Sequence, residues 1–212
     1  MVAIEEQMYL CLGETLSFEE LYLTVATLRV STFTLVYPGL LSSTAMALLH
    51  WMVATYYTTY KSVIPHFLPD DIEKLLQKEK KASKIDKNSS RLDKIQDFVL
   101  AEKGQTIIVF PDLWTLYGMI GEVAREHPQV ALLLSVHTQN QKDIHRWQIK
   151  RGQVSVILCT YAEIFQDFAD LQKIIRVDPH KWYYANQQDP RYKVGDVLAQ
   201  IVQLRGAEME SA

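Results

Sequence analysis

Cysteine is scarce in this chain. Two occur, Cys11 and Cys159, far apart and without metal-ligand spacing. Two thiols in 212 residues point to a reducing compartment, so a cytoplasmic protein is expected. A positive charge excess is lacking as well. The formal net charge is −3, so nothing global calls for nucleic acid or an anionic membrane. No two of the six histidines stand four residues apart on a predicted helix, and no metal site is expected. No Gly-x-Ser-x-Gly elbow occurs. The opening "MVAIEEQMYLCLGE" carries acids where a signal peptide would be basic, so no export signal is expected. Between Val30 and Tyr60 there is no Asp, Glu, Lys or Arg. A membrane helix needs roughly 20 predominantly apolar residues, but Pro38-Gly39, His50 and several Ser, Thr and Tyr interrupt this run. The run reads instead as a buried strand, a turn and a mostly buried helix, and no membrane partner is expected. No internal repeat is apparent.

What is present suits one globular domain: 48% of residues are apolar and 22% charged. Residues 1–29 read as helical, because Phe18, Leu21, Tyr22, Val25 and Leu28 follow helical spacing and Ser17 with Glu20 forms a capping-box pattern. "STFTLVY" (31–37) is β-branched and aromatic, hence a strand. After "PGLLSS" a helix follows, "TAMALLHWMVATYYTTYKSV". The second half alternates. "RLDKIQDFVLAEKG" reads as an amphipathic helix closed by Gly104, and "QTIIVF" as a strand. "WTLYGMIGEVAREH" reads as a helix, "QVALLLSV" as a strand, and "QKDIHRWQIKRG" as a helix ending at Gly152. "QVSVILCT" is a strand, "AEIFQDFAD" a helix or turn, "LQKIIRV" a strand, and "YKVGDVLAQIVQLRGA" the last helix. Short apolar strands alternating with helices predict an α/β fold whose parallel sheet is covered on both faces. Ligands of such folds sit beyond the carboxyl ends of the strands. That directs attention to "YPGLLSST", "FPDLW", "HTQNQ", "CTYAE" and "VDPHKW".

Those strand ends, in that order, resemble the primosomal protein N-prime family of superfamily 2 DNA helicases, in its first RecA-like lobe. "QTIIVFPDLWTL" is similar to the family's strand ending Val-Pro-Glu-Ile, with Pro111 retained and Asp112 for the glutamate. His137, Trp147, Arg151, Gly152, Thr160, Ala162 and Phe165 fall on matching positions of the next stretch. "IIRVDPHKWYYANQQDPRYKVGDVLA" resembles the segment around Asp-Glu-Glu-His, with His180, Tyr184, Pro190, Arg191, Tyr192 and Asp196 matching without a gap. Upstream, "FTLVYPGLLSSTAMALL" occupies the slot of the phosphate loop Gly-x-x-x-x-Gly-Lys-Thr. The resemblance implies a three-layer RecA-like domain of the P-loop NTPase type over 30–204. A basic insertion lies at about 65–94, a helical segment precedes the lobe at 1–29, and a tail follows at 205–212. No segment resembles the family's amino-terminal DNA-binding domain, its zinc module or its second RecA-like lobe.

The departures bear on the chemistry. In the phosphate-loop slot, Tyr37, Ser42 and Ser43 stand for the two glycines and the lysine, and Thr44 for the Mg²⁺-binding threonine. Side chains at the glycine positions make positive φ costly, and serine brings no charge to a phosphate. Gly39, Ser42, Ser43 and Thr44 are therefore the candidates of a degenerate nucleotide loop, able at most to hold an anion at a helix start. In the acid motif Val177 replaces the Mg²⁺-holding aspartate, Asp178 the water-polarising glutamate, and Pro179 the next acid. Valine cannot bind a hard cation, and phosphoryl transfer depends on that charge. Asp178 and His180 remain as catalytic candidates of a degenerate site.

A DNA-binding candidate also stands out. Between Ile72 and Lys94 eight basic residues face four acidic ones in an otherwise acidic chain. Lys78, Lys80, Lys81, Lys84, Lys87 and Arg91, with Lys150 and Arg151 near a turn, are the candidate phosphate contacts; the bland alternative is a solvated helix and loop. Trp147, Trp182, Tyr183, Tyr184 and Tyr192 could stack on bases, although aromatics beside strand ends ordinarily fill the helix–sheet seam. The expected function is a non-catalytic, helicase-like binding or assembly module in replication restart or repair. Its expected partners are single-stranded or forked DNA, replication and repair proteins, or a second RecA-like lobe on another chain. It needs no cofactor. The alternative is half of a split, ATP-dependent helicase using Mg-ATP.

Overall fold

A computed structural model describes residues 2–4, 7–9, 34–35, 39–69, 72–82, 91–181, 184–186 and 189–212. It forms two compact units, Met1–Met46 and Ala47–Ala212. In the first, β1 (Val2–Ile4), β2 (Gln7–Tyr9) and β3 (Thr34–Leu35) make a small antiparallel sheet in the order β2-β1-β3. The expected helix at 1–29 is thus replaced by strand at 2–4 and 7–9. The helical spacing that prompted it lies at 18–28, outside the described residues. Strand propensity in "STFTLVY" is realised at Thr34–Leu35, but the partner is β1 and not a strand of the parallel sheet. Propensity fixes an extended backbone; pairing is decided by tertiary context.

α1 (Ser43–Thr55) begins in the first unit and runs into the second. α2 (Tyr60–Phe67) is capped by Thr59, whose hydroxyl accepts the Ser62 N–H at 3.3 Å. α3 (Ile72–Ala82) follows, with Leu75 buried and Lys74 exposed. β4 (Lys94–Ile95) and β5 (Phe98–Val99) form a two-stranded hairpin where one helix was expected. The reason is instructive. Residues flanking a two-residue turn are three apart, as on a helix face, so Ile95 and Phe98 satisfy both readings. Gln96, at φ 52, takes the left-handed backbone the turn requires.

The main sheet has five parallel strands. They are β6 (Gln105–Phe110), β7 (Val130–Leu133), β8 (Val156–Thr160), β9 (Leu171–Arg176) and β10 (Glu208–Ser211). Their spatial order is β10-β9-β6-β8-β7. The chain passes from β6 to β7 through α4 (Leu113–Met119) and α5 (Glu122–Arg125), and returns to β8 through α6 (Gln139–Lys150). It then crosses to β9 and reaches β10 through α7 (Val194–Arg205). Every residue of β6 and β8 is buried, as fits central strands of a covered parallel sheet. On one face Ile108, Phe110, Leu158, Ile175 and Val177 pack with Ile95 and Phe98 of the hairpin and Leu116 of α4. α6 and α7 cover the other face, as right-handed crossovers require. The fold is a three-layer α/β domain of RecA-like type.

Two further expectations change. The helix read over 114–127 is broken at Gly121, where ψ 156 turns the chain between α4 and α5. The tail at 205–212 is β10, because Gly206 ends α7 in the left-handed conformation at φ 66 and directs the chain back along β9. At the amino edge of the sheet Gln105 is 2% exposed and ties three connections together. Its amide nitrogen donates to the carbonyls of Ile149 (2.9 Å) and Val154 (3.1 Å), and its amide oxygen accepts from Ala169 (3.0 Å) and Asp170 (3.2 Å). No helix of the described residues is long and apolar enough to cross a membrane.

Candidate functional site

The order of the strands reverses around β6, so its carboxyl end is the crevice position of an open parallel sheet. Asp112 follows β6 there and caps α4. Its carboxylate accepts the Thr115 N–H at 2.8 Å and the Thr115 hydroxyl at 3.1 Å. That occupation is structural: the orphan N–H groups of a helix start are met by the protein's own acid.

On the neighbouring strand, Val177 is 1% exposed and donates its N–H to the Val109 carbonyl at 3.0 Å. The position that the resemblance matches to a metal-holding aspartate is a core position here. Asp178 follows at φ 48, a left-handed backbone uncommon outside glycine. The bond from its N–H to the Ala212 carbonyl, 2.8 Å, and the Lys181 N–H on its own carbonyl, 3.1 Å, fix the turn. Asp178, Pro179, His180 and Lys181 line an open hollow of about 480 Å³ with Ser211 and Ala212. Asp178 and His180 are both exposed, and neither side chain has a hydrogen-bond partner among the described residues. A general base needs its orientation held by a second group. Nothing described here holds either one.

Beneath this edge several polar groups are buried and hydrogen-bonded. The Tyr184 hydroxyl lies 2.5 Å from the Val177 carbonyl and 2.9 Å from the Val109 carbonyl, sharing one proton between the ends of β9 and β6. Burial pushes its phenol well above the ordinary range, and Cys159 adds to the effect. Burial also raises the Cys159 thiol, which excludes a ready nucleophile at the end of β8. Glu163, 8% exposed, pairs with Lys142 at 2.5 Å. Tyr192 packs edge-on to Phe165 at 5.2 Å and His66 at 5.6 Å. Tyr184 and Tyr192 therefore fill the seam and are not stacking surfaces. Trp182 and Tyr183 lie outside the described residues.

Of the candidate phosphate-loop residues, Ser42 is a helix cap: its hydroxyl accepts the Ala45 N–H at 3.2 Å and its carbonyl the Met46 N–H at 2.9 Å. Ser43 and Thr44 form the first turn of α1. Gly39 takes φ 65 with open space around it. All four belong to the first unit, and Asp178 and His180 to the second.

The candidate DNA contacts divide. Arg151 pairs with the Glu79 carboxylate at 2.5 Å, bonds the Glu79 carbonyl at 3.0 Å and lies over the Trp147 ring. Trp147 donates to the Leu75 carbonyl at 2.7 Å. Together they clamp α3 onto α6, so both side chains serve packing. Lys150 pairs with Asp167 at 2.5 Å, and Arg91 bonds the carbonyls of Ala101 (2.8 Å) and Gly104 (3.0 Å). Lys78 is half-buried on α3. The side chains of Lys80 and Lys81, and all of Lys84 and Lys87, lie outside the described residues.

Sequence reasoning missed two things. Trp114, in the first turn of α4, is 88% exposed. Arg176 has a fully buried Nε without a partner and lies over the Tyr184 ring. No sequence pattern distinguishes either. Among the described residues no three His, Cys, Asp or Glu converge as a metal site would need. Compared with protein-family models and with curated proteins, the chain matches none.

Proposed function

We propose that this chain is a non-catalytic module resembling the first lobe of the primosomal helicase family, with a binding or assembly role toward DNA or replication proteins. The observation that carries the reading is Val177: the position matched to the metal-holding acid is closed into the core. A carboxylate there would have to be dehydrated, at a cost of several kcal/mol, so regaining the ligand is not a matter of one surface change. Asp178, next in the chain, points into open solvent without a supporting partner. Ser42 spends its hydroxyl and the helix start on capping α1. Supporting this further, Asp112 is held by its own helix.

The test is phosphate release from Mg-ATP with and without single-stranded DNA, using purified full chain. No DNA-stimulated turnover is expected. Turnover that disappears in Asp178→Asn overturns the reading and favours an ATP-hydrolysing lobe.

A further inference from the structure

The two edges of the parallel sheet differ. Along β7, three of four residues are buried and the fourth half-buried. All four residues of β10 are exposed, and no strand of the described residues pairs with its outer side. The phase of its backbone can be read from Ala212. That residue donates to the Arg176 carbonyl at 3.0 Å and accepts from Asp178 at 2.8 Å, so both of its peptide groups face β9. In a parallel ladder the direction alternates residue by residue. Glu208 and Glu210 therefore bond toward β9, and Met209 and Ser211 present their N–H and C=O groups outward. Side chains alternate too. Glu208 and Glu210 stand on the hairpin face, where Glu210 reaches Lys173 at 3.0 Å and remains about half exposed. Met209, 43% exposed, stands on the α7 face.

This edge discriminates among strands that could join it. An antiparallel partner must set outward-bonding residues opposite each other. If a second copy pairs Met209 with Ser211, Glu210 meets Glu210. If Met209 pairs with Met209, Glu208 meets Glu210. Like charges directly opposed destabilise a pairing. The same carboxylates favour a strand with lysine or arginine on that face, while Met209 offers an apolar contact on the other.

We propose that the outer edge of β10 receives an extended segment of a partner protein whose side chains alternate apolar and basic. Main-chain bonds to Met209 and Ser211 supply the attachment, and the two glutamates select the charge. This rests on the sheet edge alone, so its failure leaves the nucleotide-site reading untouched.

The probe is a capped peptide of alternating valine and lysine, with the valine–glutamate peptide as its counterpart. Binding to the full chain is followed by calorimetry and by amide hydrogen exchange. The lysine peptide binds saturably and slows exchange at Met209 and Ser211; the glutamate peptide does neither. Glu208→Lys weakens the lysine peptide. Met209→Pro removes one outward donor while the bonds of Glu208 and Glu210 to β9 remain, and lowers affinity by about fivefold or more at unchanged melting temperature. Equal binding of both peptides, no binding of either, or full affinity in a folded Met209→Pro variant overturns the proposal. So does a concentration-dependent dimer that Met209→Pro dissolves.

Discussion

Gln105 shows how a single amide can set the register of several segments. Its two donors and its acceptor oxygen are all engaged, on the end of α6, the entry to β8 and the entry to β9. Gln105→Glu keeps the shape but turns an oxygen toward two carbonyl oxygens and buries a charge. A loss of about 3 kcal/mol or more is expected, read from urea unfolding. Two histidines give the residue scale a pH dependence. Burial lowers the His66 pKa below its ordinary 6.5, with Glu163 opposing, and burial lowers His145 as well, with its bond to Gln148 opposing. Both are neutral bases in the folded chain and bind protons more readily when unfolded. Stability is therefore complete above about pH 6.5 and falls as pH drops from there toward the lowered values. Urea midpoints at about pH 7.5 and pH 5 measure the difference, and His66→Gln removes part of it.

At the scale of elements, α3 depends on α6. Trp147 carries the bond to Leu75, and Arg151 the pair with Glu79. Trp147→Phe keeps most of the ring and loses the bond to the Leu75 carbonyl that ties the two helices. About 1–2 kcal/mol is expected, with faster proteolysis within 72–82 as the local sign. The elements also show what the sequence could reveal. β6 and β8 were legible because burial on both faces leaves central strands largely apolar. β9 was legible because Ile174 and Ile175, with Val177 just beyond, form a short apolar run, and α6 and α7 because they keep their period and end at glycine. The hairpin at 94–99 was not legible, since Ile95 and Phe98 fit either phase. β10 was hidden because an acidic edge strand, Glu-Met-Glu-Ser, has none of the apolar signal of its neighbours. At the candidate site, the loss of a metal ligand at Val177 was legible from residue type. The left-handed turn at Asp178 and the capping roles of Ser42 and Asp112 were not, being decided by which donor each side chain reaches.

For the molecule as a whole, charge is the quantity that decides partners. With Arg91, Lys150 and Arg151 committed to internal bonds, the strip Lys78–Lys87 would have to carry any DNA affinity. Binding is then weak and falls steeply with salt, by a log–log slope of about 0.7 for each phosphate contacted on a single strand. Deleting 83–90 should flatten that slope, measured by fluorescence anisotropy. An unchanged slope makes the strip a solvated connection. The two ends of the sheet divide the labour. Register is secured at the amino edge, by Gln105 and its four bonds, 2% exposed and far from any ligand position of such a fold. At the carboxyl edge the strands are joined through backbone bonds and the Tyr184 hydroxyl, so the exposed side chains of Asp178 and His180 carry little of the register. Exposed charges there can be exchanged without unravelling the strands, whereas a carboxylate at Val177 would cost the core several kcal/mol. A scaffold arranged in that way tolerates change at the positions where ligands of such folds sit.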